Sequence, residues 1–131
     1  MMKSPPHRMS LTVRGYELDS YGHVNNAVYL QYFEQARWEY MKQQGLLDMI
    51  NRHELFLVVI DTHIRYMRES NLFDELVIET ACMIEKPYVV FRQKIINQTS
   101  GLPATRATVK TIFVDRQRIP QDIPGFMTDT T

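Results

Sequence analysis

Four strand-like segments follow one another between Leu55 and Val114, and no convincing helical segment separates them. Parallel strands need a crossover of a dozen or more residues, usually a helix. The connections here are too short for that, so antiparallel pairing is predicted. Leu55 to Arg68 begins as an apolar run and then alternates, with Ile60, Thr62, Ile64 and Tyr66 on one face. Leu76 to Ile84 alternates similarly, with Leu76, Ile78, Thr80 and Cys82 together. Val89 to Asn97 and Thr105 to Val114 complete the set. Turn-forming residues stand between them at Asn71 to Asp74, at Lys86-Pro87 and at Asn97 to Gly101.

Ahead of these strands lies one long helical pattern, about Ala27 to Gln44, stopped by Gly45. Tyr29, Tyr32, Phe33, Ala36 and Tyr40 recur at helical spacing on one face. Leu30, Trp38 and Met41 lie elsewhere around it, and a helix apolar on most sides is expected to be buried. Leu11 to Val13 suggests a short first strand, and a polar loop runs from Tyr16 to Asn26. Residues 1 to 9 and Arg116 to Thr131 read as loose tails around a core of about residues 10 to 116. The expectation is one α+β domain spanning residues 1–131, with a long helix buried against an antiparallel sheet of about five strands.

Composition excludes several function classes. With 15 basic and 15 acidic side chains, the chain has no basic field for nucleic acid. No apolar run reaches the length of a membrane span. Pro5, Pro6, His7 and Arg8 occupy the place of a signal peptide's apolar stretch. A lone cysteine, Cys82, makes no intrachain disulfide, and a cytoplasmic location is expected. The four histidines and Cys82 show no metal-ligand spacing. There is no Gly-x-Ser-x-Gly elbow and no Gly-rich phosphate loop.

Chemistry concentrates in Tyr16-Glu-Leu-Asp19-Ser-Tyr-Gly22-His23-Val-Asn25-Asn26-Ala-Val-Tyr29. A carboxylate stands just before a predicted helix N-terminus, where Asn25 and Asn26 both suit the cap. The unpaired N–H groups of a first helical turn favour developing negative charge. Asp19 with such a helix end supplies the two parts of acyl transfer, a nucleophile or base and an oxyanion site. Gly22 would allow close backbone approach to a ligand. His23 would orient Asp19, contact substrate, or hold the loop. The same residues also suit an ordinary capped loop, which is a commoner use of them.

The segment Val13 to Trp38, with its Asp19, His23-Val-Asn-Asn26, Tyr29 and Glu34-Gln-Ala-Arg37-Trp38, resembles the signature of the 4-hydroxybenzoyl-CoA thioesterase family. Within that family it is similar to the branch of bacterial long-chain acyl-CoA thioesterases. The resemblance covers about residues 11 to 115. It implies a hotdog fold, a sheet wrapped around a central helix. It further implies that Asp19 is the nucleophile or general base, and that the backbone N–H at Asn26 polarises the thioester carbonyl. Dimers or tetramers with active sites at subunit interfaces, and no metal or cofactor, are implied as well. That branch often carries a C-terminal helix, where this chain has Pro124-Gly125 and a polar end.

The resulting expectation is hydrolysis of a medium- or long-chain fatty acyl-CoA to free acid and CoA, without a cofactor. Alternatives are an aryl-CoA or acyl-carrier-protein thioesterase, or a hotdog that binds acyl-CoA without turnover. Catalytic candidates are Asp19, Asn26 and His23. Substrate-binding candidates are Gly22, Tyr29, Tyr32, Phe33 and Arg68, the aromatic residues serving the core first. Arg65, Lys86, Arg92 and Arg106 are further candidates for CoA phosphates. Glu34 and Arg37, three apart on the helix, are expected to pair.

Overall fold

The computed structural model describes residues 5–128. Five strands form one antiparallel sheet: β1 (His7–Thr12), β2 (Phe56–Tyr66), β3 (Glu75–Glu85), β4 (Tyr88–Asn97) and β5 (Leu102–Val114), in the order β1-β3-β4-β5-β2. The helix α1 (Asn26–Gln43) lies on one face of this sheet. It ends where Gly45 takes φ +74, a left-handed conformation that glycine adopts freely. The predicted stripe of Tyr29, Tyr32, Phe33, Ala36 and Tyr40 is the buried face of α1, and it shares one core with Ile78, Phe91, Val109 and Phe113.

Burial of α1 is one-sided in the single chain. Leu30 is 44% exposed and Trp38 50%. Leu30 and Trp38 are therefore uncovered, whereas Met41 packs against the edge of the core. A short second helix, α2 (Leu46–Arg52), follows and buries Leu46 and Ile50. Its seven residues are too few to show a period, which is why sequence patterning passes over it.

β2 departs from simple alternation. Its pairing with β5 shifts between Val59 and Asp61, so Ile60 is an extra, bulged residue. Leu57 and Val59 before it, and Thr62, Ile64 and Tyr66 after it, therefore pair with the helix-facing set of β5, from Thr105 to Phe113. Ile60 does not share the face of Thr62, Ile64 and Tyr66 as a strict two-residue period predicts; it is 50% exposed. β5 starts at Leu102, earlier than the predicted Thr105.

Both predicted tails contain packed structure. β1 starts at His7 and pairs with β3, with Arg8 bridging to Glu79 at 3.2 Å. Val13 leaves that strand but is fully buried, and its N–H donates to Asp74. Past β5, Pro120 bridges back to Val114, and the Gln121 N–H donates to the Phe113 carbonyl. One helical turn, α3 (Gly125–Thr128), follows Pro124 where no helix was expected. Met127 is 1% exposed, and Phe126 packs edge-on against Phe113. The remaining tail positions, 1–4 and 129–131, lie outside the described residues.

If the C-terminal segment belongs to the core, Met127→Ala should cost about 2–5 kcal/mol. A surface residue would cost under about 0.5 kcal/mol. Urea unfolding of the two proteins distinguishes these outcomes.

Candidate active site

The loop carrying Asp19 is closed by its own backbone. Leu18 and Val24 bridge, the Asp19 N–H donates to the His23 carbonyl at 2.8 Å, and the Gly22 N–H donates to the Asp19 carbonyl at 3.1 Å. Gly22 sits at φ +82, where a side chain would be strained. Inside this turn, Asp19 Oδ1 accepts the N–H groups of Tyr21 (2.9 Å) and His23 (3.2 Å). The second oxygen, Oδ2, has no hydrogen-bond partner among the described residues. One oxygen thus fixes the carboxylate and the other is left for chemistry.

Asn25, and not Asn26, is the cap of α1. Its side chain accepts the Ala27 N–H at 2.9 Å, and its carbonyl accepts the Val28 N–H at 2.9 Å. Asn26 is the first helical residue, and its N–H has no acceptor among the described residues. Tyr66, at the end of β2, donates its hydroxyl to the Asn26 carbonyl at 3.0 Å and packs on Tyr29, centroid to centroid 5.6 Å. That contact braces the first turn of α1 next to the free N–H.

These groups meet in a cavity of about 340 Å³ lined by Asp19, His23, Asn26, Tyr29, Tyr66 and Arg68, among others. Five of the predicted site residues are therefore together: Asp19, His23, Asn26, Tyr29 and Arg68. Arg68 is steadied by donating to the Pro103 carbonyl at 3.0 Å. His23 Nε2 lies 3.0 Å from Glu69 Oε2, so the imidazole faces Glu69 and does not brace the Asp19 carboxylate. Gly22, Tyr32 and Phe33 do not line the cavity. Gly22 makes the turn, and Phe33 is core, with its carbonyl accepting from Gln93.

Arg65, Arg92 and Arg106 stand on the sheet face turned away from α1, with Arg65 opposite Arg106. Arg37 and Glu34 form no ion pair. Arg37 donates to Gln93 Oε1 at 3.1 Å, and burial lowers its pKa despite the nearby Glu34 charge. Burial pushes the Cys82 thiol up to about 11, which leaves it unreactive at neutral pH. Among the described residues no three His, Cys, Asp or Glu side chains gather to hold a metal ion.

Sequence reasoning missed two residues around the site. Tyr66 carries only the signal of an alternating strand residue, and nothing in the pattern shows that its hydroxyl reaches Asn26, forty residues away. Glu17 had no signal at all. It is 5% exposed, and the Tyr32 hydroxyl that donates to it at 2.7 Å comes from fifteen residues away. Burial alone would raise the Glu17 carboxyl. Hydrogen bonds from the Arg14 guanidinium and N–H and from Tyr32 outweigh it and hold the group below 4.5. Burial and the Glu17 charge together raise the Tyr32 phenol in turn.

A five-stranded antiparallel sheet around a long helix, with a carboxylate facing the helix start, is the hotdog arrangement. A family model described as "Thioesterase-like superfamily" matches residues 13–129, and the chain belongs to that superfamily. It is 35% identical over 114 residues to the acyl-CoA thioesterase YbgC of Haemophilus influenzae, covering 81% of this chain and 80% of that one. It is 41% identical over 68 residues to the long-chain acyl-CoA thioesterase FadM of Escherichia coli, which is 52% of each chain. The chain thus spans about half the length of that curated relative. The crystal structure of the probable thioesterase YbaW from Escherichia coli superposes with a TM-score of 0.86 at 27% identity, covering 94% of both chains.

A carboxyl whose pKa is depressed by folding stabilises the fold above its unfolded value, near 4.5, and loses that contribution as pH falls through the folded value. Glu17 should therefore steepen the acid limb of stability below about pH 4.5. In Glu17→Gln that part of the limb should flatten, as urea unfolding between pH 3 and 7 would show.

Proposed function

We propose that this chain hydrolyses fatty acyl-CoA to the free acid and CoA. The observation that carries this reading is Asp19 Oδ2 and the Asn26 N–H, both unspent, lining one cavity at the start of α1. A thioester carbonyl between them meets an anionic oxygen on one side and a donor on the other. As a base, Asp19 takes a proton from water while the oxygen of that water adds to the carbonyl carbon. As a nucleophile, it adds directly and water later cleaves the anhydride. In both routes charge moves to the carbonyl oxygen, where the Asn26 N–H and the helix dipole stabilise it. Collapse expels the thiolate of CoA, a good leaving group because its conjugate thiol is acidic.

Asp19→Asn keeps the shape of the loop and removes the base or nucleophile. Its kcat should fall about a hundredfold or more, with KM little changed. Asn26→Ala keeps the backbone N–H and does not touch the cap, so it should retain most of its turnover. A panel of aryl-CoA, short- to long-chain acyl-CoA and acylated carrier protein, read by free-thiol release, tests both variants and the acyl class. A well-folded Asn26→Ala enzyme as inactive as Asp19→Asn would move the oxyanion role to the side chain.

The acyl chain is assigned to a second groove, of about 490 Å³, between α1, α2 and β2, with Trp38, Met41, Leu47, Ile50, Leu57 and Phe91 in its lining. Within one chain this groove opens by the start of β2, whereas Asp19 lies by its end. A homodimer resolves the separation. β2 is an edge strand of eleven residues with Phe56, Val59 and Ile60 half exposed, a template for pairing with a second copy. Antiparallel pairing of two β2 strands about a two-fold axis brings the groove of one subunit beside the Asp19 pocket of the other. It also covers Leu30 and Trp38. Sedimentation should give a dimer or a tetramer, with thiol release lost on dilution to monomer. A stable, active monomer would contradict this assembly.

A further inference from the structure

The Arg14–Glu17–Tyr32 cluster lies outside the pocket, and the chemistry above does not use it. Glu17 is nevertheless bonded on every side. Its oxygens accept from the Arg14 N–H (2.9 Å), Arg14 Nε (3.1 Å), Arg14 Nη2 (2.6 Å) and the Tyr32 hydroxyl (2.7 Å). Its carbonyl accepts the Asn25 N–H at 2.9 Å. An apolar residue of similar volume in place of a buried ion pair is often neutral or stabilising. Stability alone therefore gives little reason to bury a carboxylate here.

The connections supply a geometric reason. Glu17 stands two residues before Asp19 in the loop. It is attached to the helix at two places: at the cap, Asn25, and at Tyr32, roughly 10 Å further along the axis at 1.5 Å per residue. Two attachments fix both the separation and the tilt of loop and helix. The reacting groups, Asp19 Oδ2 and the Asn26 N–H, belong to those two pieces and must flank one carbonyl.

We propose that Glu17 is a positioning residue, which holds the Asp19 loop against the start of α1 through the Tyr32 hydroxyl and the Asn25 N–H. It neither touches substrate nor exchanges a proton during turnover. The proposal rests on the reading of Asp19 and Asn26 as the reacting groups, so its test carries one arm that does not need activity.

Thiol release, thermal melting and amide hydrogen exchange are measured on the wild type, Glu17→Gln, Tyr32→Phe and the double variant. Met127→Ala serves as a destabilised control remote from the loop. In folded Glu17→Gln and Tyr32→Phe, kcat should fall about tenfold or more, as small misplacements of reacting groups do. KM should hold within about twofold. The double variant should be no worse than the worse single one, because both weaken the one contact between the Glu17 carboxylate and the Tyr32 hydroxyl. The Tyr21 and His23 amides, which donate to Asp19, should exchange about tenfold faster in each variant. Met127→Ala should keep wild-type kcat and loop protection. Wild-type kcat in folded Glu17→Gln and Tyr32→Phe overturns the proposal, and so does a rise in KM at constant kcat. Should Glu17→Gln not fold, Tyr32→Phe decides alone. Should the wild type release no thiol from any substrate, the thioesterase reading has failed, and exchange at Tyr21 and His23 decides the role of Glu17. Unchanged protection there overturns it.

Discussion

Tyr29, Tyr32, Phe33 and Tyr40 escape water because Ile78, Phe91, Val109 and Phe113 lie in the same core with them. Each such side chain contributes about 1.5–3 kcal/mol by leaving water. Leu46, Ile50 and Met127 from the short helices join the same core. A sheet with one apolar face and a helix with one aromatic stripe satisfy each other by packing face to face. Contacts such as the edge-on packing of Tyr40 on Phe91, ring centroids 6.1 Å apart, then set the rotation of the helix about its own axis. That rotation decides where the first turn of α1 faces.

The pocket inherits its precision from this packing. Tyr29 is core on one side and pocket wall on the other, and Tyr66 reaches the helix start because β2 ends beside it. The loop before α1 sends Val24 into the core and packs Leu18 against it. It is shaped by polar devices, with one Asp19 oxygen folding its own turn and Glu17 joining the turn to the helix. An apolar scaffold thus carries a polar loop, and the unspent groups of loop and helix line one cavity. Such division of labour is usual where function sits on connections between elements.

What could be read in the sequence was local. The stripe on α1 repeats at helical spacing and stops at a glycine, and β3 and β4 stand out as strands between turn residues. The errors fall where a distant partner decides. His7 and Arg8 look like tail residues until Glu79 and Thr80 of β3 lie beside them. Met127 is buried because the end of β5 and its neighbours form a floor for it. Two adjacent asparagines suit the cap equally by type, and the backbone picks Asn25. Asp19 was legible through its place before the helix together with the family signature. Glu17 was not, since a glutamate in a polar loop looks solvated until a tyrosine two turns down the helix removes it from water.

The bulge at Ile60 also bears on how this chain tolerates changes in its length. Val59 pairs with Thr111 and Asp61 with the next residue back, Lys110, so the ladder skips Ile60 altogether. Loss of that one residue would leave every cross-strand partner unchanged and straighten the strand. Gain of one residue between the bulge and Tyr66 would turn Tyr66 to the opposite face and release the start of α1. The bulge is therefore a place where the strand can lose one residue without displacing the pocket.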